Sequence, residues 1–123
     1  MIEENIYNFL IADSSITALV GRRIHWVDDE QGTAYPKITF KCMSKPKLYQ
    51  ATDEWRRYRF FVYGEDKFTV QNIADTLTSK LHGLYGEVDG VYIDFISKLD
   101  EIPPELREDS IYEMYLDFRV KYH

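Results

Sequence analysis

The stretch IYEMYLDFRVKYH, residues 111–123, decides the fold. Tyr112, Met114, Leu116, Phe118, Val120 and Tyr122 alternate there with Glu113, Tyr115, Asp117, Arg119 and Lys121. Side chains leave a strand on alternate faces, so a period of two specifies one apolar and one polar face. One-sided burial is characteristic of antiparallel sheet. Burying the six large side chains is worth roughly 10 kcal/mol gross, at about 1.5–3 kcal/mol each before entropy is subtracted. A whole domain has a net stability of that order, so this strand belongs to a core rather than to a loose tail.

A core face needs a partner. Between residues 66 and 82 the period changes to that of a helix, with Val70, Ile73, Ala74, Leu77 and Leu81 in one stripe. Asp66 suits its N-cap, Lys80 and His82 its last turn, and Gly83 its end. The apolar face of the final strand is expected to lie on this stripe. Upstream, Ile2, Ile6, Phe9 and Leu10 mark a first amphipathic helix with Glu3 and Glu4 in its opening turn. Asp13 or Ser14 then caps a short second helix carrying Ile16, Leu19 and Val20, which Gly21 stops.

Strands fill the rest. RIHWV, residues 23–27, is a short one, followed by the polar stretch DDEQGTAYP. Ile38, Phe40 and Cys42 alternate with Thr39 and Lys41 in the next. In RRYRFFVYG, residues 56–64, Tyr58, Phe60 and Val62 share one face, and Arg59, Phe61 and Tyr63 share the other. A long hairpin joins these two, and the apolar pair Phe61 and Tyr63 implies that the second face is partly covered. VYIDFISKL, residues 91–99, aligns Val91, Ile93, Phe95 and Leu99; DEIPPELREDS reads as a Pro-punctuated connection to the last strand. The expected order is α-α-β-β-β-α-β-β over one domain spanning residues 1–123. It is an α+β fold with an antiparallel sheet of about five strands packed against helices.

Composition bounds the function. The chain has 123 residues, 45% hydrophobic and 29% charged, a globular balance with one core. Its formal net charge is −6. Non-specific nucleic-acid affinity depends on cations neutralising phosphates, so this balance argues against a nucleic-acid binder. The one dense basic cluster, Arg56, Arg57 and Arg59, fits a solvated strand edge or a subunit contact better than a phosphate groove. Cys42 stands alone, which excludes an intrachain disulfide and a thiolate metal cage and suggests a buried, inert thiol. No hydrophobic run approaches a membrane span, and MIEENIYNF is unlike a targeting peptide, so a reducing, intracellular site of synthesis is expected.

No catalytic, cofactor or metal residues are expected. His25, His82 and His123 lack a second ligand at metal spacing. The acidic run Asp28, Asp29 and Glu30 lacks the alternating oxygens and placed glycine of a calcium loop. The glycines form no phosphate loop, and no G-x-S-x-G elbow exists. What remains is surface. Trp26, Tyr35, Tyr49, Trp55 and Tyr63 lie in or beside the long connections, and Trp, Tyr and Arg are enriched at interface centres. Asp28, Asp29, Glu30, Tyr49, Trp55, Arg56, Arg57 and Arg119 are the candidate contact residues. Contacts are expected through residues 45–55 or the acidic loop 28–32.

IYNFLIADSSITALVGRRIH resembles the opening of tail-completion proteins of long-tailed bacteriophages, which read as a helix, D-x-x-[IL]-x-x-L-V-G-x-R-I and a strand. The matching residues are Asp13, Ile16, Leu19, Val20, Gly21, Arg23 and Ile24. FFVYGEDKFTVQNIADTLTSKLHG resembles the family's later strand and helix. Asp117, Phe118, Val120 and Tyr122 resemble its closing D-F-x-V-x-Y. The resemblance implies a tail terminator, a virion tail component made and assembled in the host cytoplasm. It implies a ring of copies, usually hexameric, that caps the tail tube and joins tail to head. Its partners would be itself, the tail tube protein and head-completion or connector proteins, with no membrane and no cofactor. DNA would pass through without specific binding, which an acidic ring suits. A stand-alone α+β regulatory or ligand-binding domain is the alternative.

Overall fold

In the computed structural model, residues 1–27, 34–45 and 54–123 are described. Two helices come first: α1 (Ile2–Ala12) and α2 (Ser14–Val20). Three strands follow, β1 (Ile24–Trp26), β2 (Lys37–Ser44) and β3 (Glu54–Gly64), then α3 (Lys67–Leu81). The last elements are β4 (Gly86–Val88), β5 (Val91–Leu106) and β6 (Tyr112–Tyr122). Among the described residues the strands form one six-stranded sheet in the order β1-β2-β3-β6-β5-β4.

The helices start and stop where local chemistry dictates. Asp13 accepts from the N–H groups of Ser15 and Ile16 at 2.9 and 3.2 Å, satisfying donors that α2 leaves unpaired. Gly21, at φ 61°, ends α2 in a left-handed conformation that costs glycine little. Asp66 caps α3 through the Phe68 N–H and the Thr69 hydroxyl. Val70, Ile73, Ala74, Leu77 and Leu81 are buried from α3, and Ile2, Ile6 and Leu10 from α1. They close over Phe40, Phe60, Val62, Leu116, Phe118 and Val120, so the expected packing of α3 on β6 is present.

The α+β class stands, and its details change. The sheet has six strands, and β1 runs parallel to β2, with Ile24 opposite Ile38. The added strand is β4. It makes a hairpin with β5 through Asp89 and Gly90, both at positive φ, with Val88 paired to Val91. Such an Asp-Gly turn matches the twist of the flanking strands. Its three residues are too few to show a period. Asn5 and Asn8 of α1 fasten this turn, donating to the Asp89 carbonyl at 2.7 Å and to its carboxylate at 3.2 and 2.9 Å.

The expected connection DEIPPELREDS is strand as far as Leu106. Pro103 and Pro104 fall in a register shift between Ile102 and Glu105, beyond the Val91–Ile93 stretch that β4 pairs, where among the described residues β5 has a strand on one side only. Proline lacks an N–H, and such an edge is where a sheet tolerates it. An earlier shift, between Ile93 and Phe95, moves Phe95 off the apolar line and puts Ile96 in the core.

One close approach fixes how β3 enters α3. A Cβ on Gly64 would stand 2.8 Å from Cγ2 of Val70. A helical valine has one preferred rotamer, so it has little room to yield. Gly64→Ala is expected to cost about 1–3 kcal/mol by overpacking. A chemical-denaturation midpoint equal to wild type would contradict this.

Candidate interaction surface

Among the described residues α1 and α3 pack on one face of the sheet with α2 against both helices, and no helix covers the other face. That open face carries the alternate residues of the central strands. Trp55, Arg57, Arg59, Phe61 and Tyr63 come from β3, and Glu113, Tyr115, Asp117, Arg119 and Lys121 from β6. Only Asp117 among them is buried, at 3% exposure, and the others with described side chains are half-buried.

Rings and cations interleave across it. Phe61 stacks on Tyr63 at 6.3 Å and tilts onto Tyr115 at 6.0 Å. The Arg59 guanidinium lies 4.2 Å from the Tyr115 ring centre. Arg119 sits between two rings, 4.9 Å from Trp55 and 5.6 Å from Phe95. Lys41 lies over Phe61 and Lys37 over Tyr63. Cations are held over aromatic faces by the ring quadrupole, at about 0.5–1 kcal/mol each where exposed.

Asp117 organises the centre. Its carboxylate accepts two hydrogen bonds from Arg59, at 2.8 and 3.1 Å, with Arg57 3.8 Å away. These bonds raise the Arg59 guanidinium above its ordinary pKa. Arg57 lies directly across from Arg119. Among the described residues, Arg119 has no carboxylate partner.

The sequence-derived contact residues divide. Trp55, Arg57 and Arg119 meet on this face. Arg56 faces the helices, where it donates to the buried Glu3 carboxylate at 2.9 Å and approaches the Tyr122 ring. Beside it, burial pushes the Tyr58 hydroxyl well above its ordinary pKa. Asp28, Asp29, Glu30 and Tyr49 lie outside the described residues, as does most of the 45–55 segment. The basic cluster is not on a strand edge, because β3 is flanked by β2 and β6. The sequence also promised cover over Phe61 and Tyr63, and no described helix supplies it. Tyr115 and Asp117 fall on the polar face that the alternation assigns them, although neither is among the sequence-derived contact residues; Phe95, expected on the apolar line, joins them. A long-range register, Arg59 opposite Asp117, brings them in.

At the far end of β6 a groove of about 610 Å³ runs along the β5–β6 hairpin, lined by Ile102, Glu105, Leu106, Asp109 and Glu113. It is open and acidic. Among the described residues no group of three or more His, Cys, Asp or Glu is arranged to hold a metal ion. His82 Nδ1 accepts from the Lys98 N–H, and His123 pairs with Asp94. Cys42 is half-buried rather than buried, and its thiol donates to the Ser44 carbonyl. No helix among the described residues is long and apolar enough to cross a membrane.

No protein-family profile matches the chain, and no match is found among curated proteins. Solved structures do match in fold. One is a chain of the virion of a native gene transfer agent particle, with a TM-score of 0.75 and 15% sequence identity. The similarity covers 95% of this chain and 90% of that one.

Proposed function

We propose that this chain is a structural protein of a phage or prophage particle, forming a ring on the tail tube that joins tail to head. The likeness to a virion chain over nearly the full length of both carries this reading. The open sheet face supports it. Half-buried rings and arginines suit contact with protein, because Trp, Tyr and Arg dominate binding energy at interface centres. The chain then acts by assembly rather than catalysis, without a cofactor, with itself, the tube protein and the head connector as partners. Its place is the tail, assembled in the host cytoplasm.

Deleting the coding sequence from a producing phage or prophage tests this. The expected result is separate filled heads and unjoined tails in negative-stain images, with joining restored by added protein. Joined particles in normal number from the deletion strain would exclude the role.

A further inference from the structure

The open face is charged oppositely at its two ends. At one end Arg57, Arg59 and Arg119 gather round the buried Asp117 carboxylate, both of whose oxygens Arg59 occupies, with the exposed Asp100 across from Asp117 on β5. The Nε atoms of Arg57 and Arg119 are buried without a hydrogen-bond partner, and Trp55 and Phe95 flank Arg119. At the other end Glu105, Glu108, Asp109 and Glu113 gather round Arg107, which pairs with Asp109 at 3.0 Å and Glu113 at 3.8 Å, while Lys37 lies over the ring of Tyr63, which faces Glu113 across the strands. Glu105 stands directly across from Glu113, and Glu105 and Glu108 are exposed, with no cation partner among the described residues. Leu106 is exposed at 59% among them. Glu113 and Arg119 are separated along β6 by about 20 Å, at roughly 3.3 Å per residue.

Like charges directly opposed on neighbouring strands repel. Among the described residues this happens for Arg57 against Arg119 and Lys41 against Arg59, and for Glu105 against Glu113 and Asp100 against Asp117; the Arg57–Arg119 and Glu105–Glu113 pairs lie at opposite ends of β6. Each end supplies what the other lacks. The two ends are too far apart to meet within one copy, so the complement has to come from another.

We infer that the occupant of the arginine end is a second copy of this chain, which inserts its acidic β5–β6 hairpin end against Arg57 and Arg119. Carboxylates of Glu105 and Glu108 accept from the guanidinium groups, and Leu106 covers the Trp55 and Phe95 rings. Arginine presents a planar fork that matches a carboxylate in two bonds. The contact is heterologous, with different patches on the two copies, and such head-to-tail contacts repeat into rings when the rotation closes. This rests on the self-assembly proposed above and names the surfaces that carry it.

Sedimentation velocity over a concentration series tests it on wild type, on Arg57→Glu with Arg119→Glu, and on Glu105→Lys with Glu108→Lys. Wild type is expected to assemble, and each swapped variant to associate more than about tenfold more weakly. In a mixture of the two swapped variants, alternating copies meet through one wild-type contact and one of reversed polarity, so the mixture should reassemble. Arg57→Gln with Arg119→Gln, checked by its melting curve, serves if the glutamates near Asp117 prevent folding. Wild type that stays monomeric at every concentration overturns the self-assembly reading together with this contact. If wild type assembles and the swapped variants assemble equally well, the contact is wrong while self-assembly stands. Loss without rescue on mixing also overturns it. So does a salt-dependent DNA gel shift by wild type that the arginine swap abolishes, because the arginines would then be serving phosphates.

Discussion

Phe118→Ala is expected to cost about 3–5 kcal/mol, a large share of the roughly 5–15 kcal/mol net stability of a domain. Phe118 is fully buried and meets Phe60 edge-on at 5.5 Å, while Phe60 stacks on Phe40 at 5.2 Å. The three rings cross β6, β3 and β2, so they tie the middle of the sheet together beneath the helices. Truncation removes the transfer energy of the ring and leaves a cavity that neighbouring strands cannot collapse into without breaking their ladder. One residue along, Arg119→Ala should cost only about 1 kcal/mol, the worth of its contacts with Trp55 and Phe95. That loss is offset in part by relief of the facing Arg57. Thermal melts of the two variants decide the matter. Equal destabilisation would mean that β6 does not sort its faces as described.

The contrast between these neighbours was legible in the sequence because period-two alternation is local. The same holds for α3, whose stripe, Asp66 cap and Gly83 stop fall within one window. Pairing is not local. Nothing within RIHWV says that β1 lies parallel to β2. The Asp89-Gly90 turn was a readable signal, but the three-residue strand before it carried no alternation. Pro103 and Pro104 argue against strand wherever the partner is unknown, and they are tolerated because that edge of β5 needs few N–H donors. The candidate surface was legible only in part. Trp55, Arg57 and Arg119 stand out in the sequence by residue type alone. Arg56 does so too, although parity along β3 puts it with Tyr58 on the helix side, against Glu3. Phe95 joined the surface only through a register shift.

Asp117 is where that limit matters most, since the alternation of β6 alone assigns it to solvent. Asp117→Asn should therefore behave unlike an exposed charge change. The substitution keeps the shape but replaces one acceptor oxygen by a donor that faces the Arg59 guanidinium, itself only a donor. It also removes the carboxylate that bonds Arg59 and lies nearest Arg57 among half-buried rings, leaving, among the described residues, only the exposed Asp100 close to Arg59. Breaking a fully buried ion pair from one side costs about 3–5 kcal/mol. The arginines are partly hydrated here, with side-chain exposures of 25% for Arg59 and 39% for Arg57. Solvent screening lowers the expectation to about 2–3 kcal/mol. Salt gives the sign a second test. At about 1 M ionic strength the screening length falls to roughly 3 Å, so repulsion among the arginines fades and the variant should regain stability relative to wild type. Pairing Asp117→Asn with Arg59→Leu in a double-mutant cycle isolates the shared term, and their penalties should be far from additive. Additive penalties, or an Asp117→Asn melt that matches wild type at low salt, would show that the carboxylate does not hold the arginines in place. The arginine end would then have to be ordered by the rings alone.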